Sequence, residues 1–435
     1  MYKKILLIFL LIFLFFHPSS AGELLEKTVY IAVTSDEHGN LFDYDFISKE
    51  EFPGGLVRVS TWIKEFRKEH PDLIVLSVGD IIQGTPVTAL HNAQFDKEPD
   101  PMIIAMNFIG YQAAALGNHD IEQGLPVLDE LQKQAKFPIL AANAVFEKKK
   151  NKPYFEPYII IHVDGIKIAV LGMITPGIPQ WLNKEVYAGI KFLDIPENAQ
   201  YWVKQIKKKE KPDIIIGLLH SGYGKKEVGE ENQPKPIENA AIETAELNPE
   251  LDIILSGHIH IPMENDMING VLMSQPGSGA KNISLITIKM IKTDKNWEVK
   301  TKTAQLISMK DVKRDEELFK ILQPYFEKTK EFSETPLTVI DKDLNTFHSY
   351  FKDCAIVDLI HQVQLQETGA DISAAALFNP NLQLEKGDIT IADVAGIYKY
   401  ENFLYVKEMT GKQVKDYLEY CATFFNSPDK FNEGI

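Results

Sequence analysis

Seven residues in five segments have the types and placement to hold metal ions. They are Asp36 and His38 in "SDEHGN", Asp80 in "VGDIIQG", Asn118 in "LGNHDIE", His220 in "LLHSG", and His258 with His260 in "SGHIH". Mixed imidazole and carboxylate donors suit borderline divalent ions (Zn, Mn, Fe or Co) better than calcium. Seven donors are too many for one tetrahedral ion and about right for two ions that share a bridging carboxylate. Asp80, alone at the end of its segment, is the natural bridge. Two ions roughly 3.5–4 Å apart can clamp a phosphoryl group and lower the pKa of a bridging water. The expected chemistry is therefore attack of a metal-bridging hydroxide on the phosphorus of a phosphoester. "LGNHDIE" adds His119 as a proton donor beside Asn118, and either Asp120 or Glu122 can orient it.

Taken singly, these segments have ordinary readings. A Gly-Asp at a strand end is common turn chemistry, and one His after a strand is usually a satisfied imidazole. "GHIH" is stronger, because alternate side chains of an extended backbone share a face. What argues for a site is all five segments together, each closing an apolar run. His70, His91, His162, His348 and His361 match none of them and read as structural.

The runs that position these groups are "VYIAVT", "DLIVLSV", "YQAAAL", "PDIIIGLL" and "LDIILS", rich in Ile, Val and Leu with little alternation. That pattern suits strands buried on both faces. Helical stretches lie between them, at Gly55–Glu69 and from Asn198 to Glu210, so the fold class is α/β, with the site expected beyond the carboxyl ends of the strands. Further strands are expected at Gly165–Thr175, Lys281–Met290 and Trp297–Thr303. A charged, mostly helical stretch broken near Pro324 reads as a linker, residues 306–335, after a catalytic domain of residues 26–305. From 336 to 435 the pattern predicts a second unit. Its helix at Asp353–Glu367 has Ile356, Leu359, Ile360 and Val363 on one face. A buried strand at Ala370–Phe378 and a capping box at Thr390 and Asp393 follow. A strand at Phe403–Met409 and an amphipathic helix at Lys412–Phe425 complete it.

The bulk properties narrow the function. The chain has 435 residues, 45% hydrophobic and 25% charged, enough for two or three domains. Residues 1–21 read as a signal peptide: Lys3 and Lys4, an apolar run from Ile5 to Phe16, then Ser19-Ser20-Ala21. An apolar run that short does not make a comfortable membrane span, so an exported protein is expected, periplasmic or secreted, with no stable span once the leader is gone. The net charge of -15 argues against a nucleic-acid polymer as partner. It leaves room for a small phosphorylated substrate if metal ions supply positive charge. Cys354 and Cys421 are too few for a disulfide framework.

The ordered set "SDEHGN", "GDIIQG", "GNHD", "LLHSG" and "SGHIH" resembles the calcineurin-like metallophosphoesterases over Val29 to about Lys289. The second unit, through "ADISAAALFN" and "GDITIADVAGIYKYENFLYVKEMTGKQVKDYLEYCATFFN", resembles the C-terminal domain of the 5′-nucleotidase family. It is most like the bacterial 2′,3′-cyclic-nucleotide 2′-phosphodiesterase/3′-nucleotidase branch. The resemblance implies a four-layer α/β/β/α domain followed by a smaller α/β domain. It also implies that Asp36, His38, Asp80 and His260 hold one ion and Asp80, Asn118, His220 and His258 the other, with His119 assisting the departing oxygen. The family orients that His with an Asp three positions on; here Glu122 occupies the place and Asp120 is a rival. For the nucleoside, the resemblance implies stacking on Tyr400 with Asn402 as its polar companion. The Arg-containing phosphate loop of true 5′-nucleotidases is replaced by "SAAALFNPN", and the domain reads as incomplete at its C-terminus. The implied activity is hydrolysis of 2′,3′-cyclic nucleotides, 3′-nucleotides or both. The alternatives are a 5′-nucleotidase or nucleotide-sugar hydrolase, and a non-catalytic nucleotide- or metal-binding module left by truncation.

Overall fold

A computed structural model describes residues 25–95, 97–149, 151–224, 237–293, 296–350, 352–398 and 404–425. The expected leader lies outside these residues. Among them, no helix is long and apolar enough to cross a membrane.

Two six-stranded sheets form the first domain. The order in one is Trp297–Ser308, Asn282–Lys292, Glu26–Thr34, Ile74–Ser77, Ala113–Ala115, Ile139–Leu140. In the other it is Met263–Ile268, Val271–Gln275, Ile253–Ser256, Ile214–His220, Ile166–Ile174, Tyr158–Val163. The site-bearing strands pair in parallel within each sheet, and antiparallel strands close every edge but that of Ile139–Leu140, which is parallel. Period-two alternation divides each central strand between two apolar layers. Ile31 and Val33 pack between the sheets with Ile74, Leu76, Val170, Ile216 and Leu255. Their neighbour Ala32 faces the opposite way, toward the helices Leu56–Arg67, Pro101–Ile109 and Glu316–Ser333. The helices Ile195–Lys209 and Ala241–Leu247 cover the outer face of the second sheet. The result is the four-layer α/β/β/α arrangement that the resemblance implied.

Some elements differ from expectation. The helix expected from Asn198 begins at Ile195, capped by the Asp194 carboxylate. The charged stretch around Pro324 is one unbroken helix, Glu316–Ser333. Pro324 removes one intrahelical bond, but tertiary anchors hold the helix on both sides of it. Leu318 and Leu322 are fully buried, Phe326 packs on Phe42 and Phe46, and the Tyr325 hydroxyl donates to the Pro99 carbonyl. This segment is part of the first domain's core rather than a loose connector, and the preceding strand runs on to Ser308.

The second unit is thinner. Two-residue to five-residue strands pair as Pro336–Ile340 with Gly387–Thr390, and Leu344–Asn345 with Gln383–Leu384. Its core is Cys354, Ile356, Leu384 and Ile389. The capping box at Thr390 and Asp393 opens the helix Ile391–Ile397 as expected. Ala370–Phe378 is not a strand: no described strand pairs with it, and Ile372 is 66% exposed. Leu404–Met409 likewise lies exposed outside any strand, and Phe403 falls outside the described residues. In the helix Ala355–Thr368, Ile356 is buried while Leu359 and Val363 stand half in solvent. The two cysteines are unlinked, Cys354 buried and Cys421 exposed on the helix Gly411–Ala422.

Candidate metal centre

Five parallel strands end at one rim, three from the first sheet and two from the second, and the chain turns sharply just beyond them. Asp36, His38, Asp80, His258 and His260 all take positive φ, between 47° and 82°. Such backbone is uncommon outside glycine and costs energy. It also corrects the reading of "GHIH": the two His residues sit in a tight bend, not an extended strand. Close backbone approaches make the turns possible. A Cβ on Gly117 would lie 2.1 Å from Asp80 Oδ1, and one on Gly257 would lie 2.2 Å from Ser35 Oγ.

Asp36, His38, Asp80 and His260 bring one donor atom each within 4.8 Å of one another. The other three predicted donors gather beside them. Asn118 Oδ1 lies 2.9 Å from both His220 Nε2 and His258 Nδ1. His220 Nε2 is 3.2 Å from Asp80 Oδ2, and His38 Nε2 is 3.7 Å from the same oxygen. Asp80 therefore stands between two donor groups.

The chemistry of the donors fits cations. His38 Nδ1 donates to the Gln83 carbonyl and His220 Nδ1 to the Val78 carbonyl, both at 2.9 Å. Those bonds leave the Nε2 lone pairs directed inward, where they meet acceptors, Asp80 Oδ2 and Asn118 Oδ1. Asp80 Oδ2 is buried and accepts no well-formed hydrogen bond. Lone pairs converging on an unsatisfied buried carboxylate oxygen call for a positive charge between them. Burial pulls His220 down, but Asp80 and Asp36 raise it to about 9. Burial also works to raise Asp80, yet His220, His119 and His38 hold it well below the usual carboxylate range. The cluster is a buried Asp/His arrangement consistent with divalent metal binding.

The two carboxylates of "LGNHDIE" point in different directions. His119 Nδ1 lies 2.7 Å from Glu122 Oε2, one helical turn on in Asn118–Glu122. Asp120 turns the other way and accepts from the backbone N–H groups of Asp80, Ile81, Ile82 and Gly117 at 2.7–3.1 Å. It is a clamp between the Asp80 and Asn118 loops. Burial and then the Asp80 charge push its carboxyl up to about 6, against those backbone bonds. His119 is also tied to Asp80 through its backbone N–H, 2.8 Å from Asp80 Oδ1. Tyr400 and Asn402 lie outside the described residues.

A family model described as calcineurin-like phosphoesterase matches residues 29–262, more than half of the chain. The chain belongs to the calcineurin-like phosphoesterases. Within that family it carries a metal-dependent hydrolase domain, joined to a region that matches the 5′-nucleotidase C-terminal domain over residues 334–432. Relatives include the trifunctional nucleotide phosphoesterase protein YfkN of Bacillus subtilis, 28% identical over 96% of this chain and 32% of its own length. The 2′,3′-cyclic-nucleotide 2′-phosphodiesterase/3′-nucleotidase of Haemophilus influenzae is 28% identical over 92% of this chain and 68% of its own. A 5′-nucleotidase of Vibrio cholerae is 29% identical over 92% and 76%. The chain thus spans about a third of the first relative and about two thirds to three quarters of the others. Among solved structures, the phosphoesterase YfkN of Bacillus subtilis superposes with a TM-score of 0.65 at 28% identity, over 71% of this chain and 99% of that one. A putative 5′-nucleotidase from Staphylococcus aureus superposes at 0.74 and 22% identity, over 86% and 72%, and this shows the shared fold.

Three residues near the centre escaped the reading of the sequence. Glu37 points away from its neighbours Asp36 and His38 into the core, where Thr34 and Ser77 donate to its carboxyl at 2.5–3.0 Å. Glu238 Oε1 lies 3.0 Å from His258 Nε2. The Trp181 ring lies 5.6 Å from that of His258, tilted 31°. A carboxylate three residues before the helix Ala241–Leu247 was the only signal for Glu238, and nothing in sequence marked Trp181.

Proposed function

We propose that this protein is an exported dinuclear-metal phosphoesterase that hydrolyses nucleotide phosphoesters, with 2′,3′-cyclic nucleotides and 3′-nucleotides as its substrates. The observation that carries this reading is the pair of donor groups sharing Asp80, whose unsatisfied Oδ2 faces inward nitrogens from both. Asp36, His38, Asp80 and His260 would hold one ion, and Asp80, Asn118, His220 and His258 the other. Bound there, two divalent ions would neutralise the phosphoryl oxygens and acidify a water for attack on phosphorus.

The chain's own groups complete the chemistry. Glu122 accepts the hydrogen bond of the His119 Nδ1–H, so Nε2 is the nitrogen that meets the phosphoryl or leaving oxygen. Against desolvation, Asp80 and Glu122 raise His119 to about 9 in the metal-free chain, which favours the protonated, donating form. The preference for cyclic and 3′-nucleotides rests on the names of some of the relatives, others being named 5′-nucleotidases, and on the absence of an Arg in "SAAALFNPN". Tyr400 and Asn402 are proposed as the nucleoside contacts.

The test is a panel of 2′,3′-cAMP, 3′-AMP, 5′-AMP and UDP-glucose on metal-reconstituted chain. Fastest turnover of 5′-AMP or UDP-glucose would replace this substrate assignment with the 5′-nucleotidase or nucleotide-sugar hydrolase alternative. Nucleotide binding without turnover of any of them would favour the non-catalytic module. Removal of metal by a chelator is expected to abolish turnover, and undiminished turnover by stripped protein would refute the metal mechanism itself.

A further inference from the structure

Unlike His38 and His220, whose Nδ1 atoms bond backbone carbonyls, His258 has side-chain groups at both ring nitrogens. Its backbone lies at φ 82° in the bend after Ser256, so its orientation depends on what surrounds the side chain. Its backbone N–H bonds the Asp36 carboxylate at 3.0–3.1 Å. Nδ1 faces Asn118 Oδ1, while Nε2, on the far side of the ring, meets Glu238 Oε1 at 3.0 Å.

Glu238 is itself anchored. Its carbonyl accepts from Ser221 Oγ at 2.7 Å and from Thr175 Oγ1 at 3.1 Å. Thr175 follows the strand Ile166–Ile174 and Ser221 follows His220, so two strand ends of the second sheet hold this backbone. The next residue is tied down as well: the Asn239 Oδ1 accepts from the Gly222 N–H at 3.2 Å. The Trp181 ring covers His258 and packs against Gly177, where a Cβ would lie 2.6 Å from Trp181 Cη2.

We propose that Glu238 is a positioning residue for the second ion, acting through His258, with Trp181 restricting the rotation of the same ring. The proposal rests on the two-ion reading above. A carboxylate at Nε2 makes that nitrogen the protonated one and turns the Nδ1 lone pair toward Asn118 and the ion. His38 and His220 are fixed in the opposite sense, with Nδ1–H donating to backbone carbonyls. Without Glu238, His258 can instead carry its proton on Nδ1 and donate it to Asn118 Oδ1. That internal bond would occupy both donors and close the second site while leaving Asp36, His38, Asp80 and His260 in place.

The experiment is a titration of the chelator-stripped full chain with Co²⁺, following heat and bound metal per chain, for wild type, Glu238→Ala, Glu238→Gln and Trp181→Leu. Wild type is expected to bind two ions. Glu238→Ala should bind the first with wild-type affinity and the second roughly 10–100-fold more weakly, the range for carboxylates that orient ligating His. Glu238→Gln keeps an acceptor oxygen and should fall between them, and Trp181→Leu should weaken only the second ion. Retention of the first ion shows that the variants are folded. Unchanged binding of the second ion by Glu238→Ala, or equal weakening of both ions, overturns the proposal. A wild-type chain that binds one ion overturns the two-ion reading and this proposal with it.

Discussion

Glu37 offers a quantitative test of how the motif is built. It lies between two of the proposed ligands yet is fully buried on the core side, with Thr34 bridging onward to Tyr111 at 2.8 Å. Desolvation outweighs the bonds from Thr34 and Ser77 and raises its carboxyl from 4.5 to about 8. Between those values the folded chain holds a proton that the unfolded chain has released, so stability falls as pH rises. The contribution is whole below pH 4.5 and gone above pH 8. At about 1.4 kcal/mol per pKa unit, the full span is on the order of 5 kcal/mol, and the part between pH 5 and 8 is about 4 kcal/mol. Glu37→Gln keeps an acceptor for both hydroxyls and has no charge to bury. Urea unfolding of chelator-treated protein from pH 5 to 8 should show the variant gaining on wild type by roughly that amount as pH rises. If the two unfolding midpoints keep a constant separation across the range, Glu37 titrates alike in both states and the reasoning is wrong.

The remaining predictions concern the rim. Glu122→Gln should lower kcat with little loss of stability, because Glu122 touches His119 and holds no loop. Asp120→Ala should instead cost several kcal/mol, at about 1 kcal/mol for each of four backbone bonds; thermal unfolding and steady-state kinetics on both variants would expose a reversed pattern. Gly117→Ala should displace Asp80 and sharply weaken metal binding, since its Cβ has no room beside Asp80 Oδ1. Wild-type metal content in that variant would contradict the packing.

Much of this was legible because one rule acted at every strand. A buried parallel strand needs an apolar run, and the first polar residues after it fall at the rim. Thus Asp36, Asp80, Asn118, His220 and His258 could be placed from runs such as "DLIVLSV" and "LDIILS" alone. What stayed hidden depended on contacts far apart in sequence. Asp120 is next to His119 in sequence and Glu122 is three residues on; only the helical turn at Asn118–Glu122 brings Glu122 back to the imidazole and sends Asp120 the other way. Pro324 suggested a break because local propensity was read without Leu318 and Leu322, whose burial holds the helix through it. Ala370–Phe378 and Leu404–Met409 have strand-like composition but no partner strand among the described residues, and composition cannot supply one.

The left-handed turns also restrict which amino acids the rim can accept. Aside from glycine, the residues that tolerate such backbone best are Asn, Asp and His, and these three are also among the common oxygen and nitrogen donors to divalent ions. At Asp36, His38, Asp80, His258 and His260 the main chain and the metal chemistry therefore select from the same short alphabet. A mutation within that alphabet, such as Asp to Asn or His to Asn, would change the charge and hardness of a proposed ligand while adding little strain to the turn. A mutation outside it damages turn and ligand together. Ion preference at such a rim can therefore drift by single substitutions without the loops having to be rebuilt.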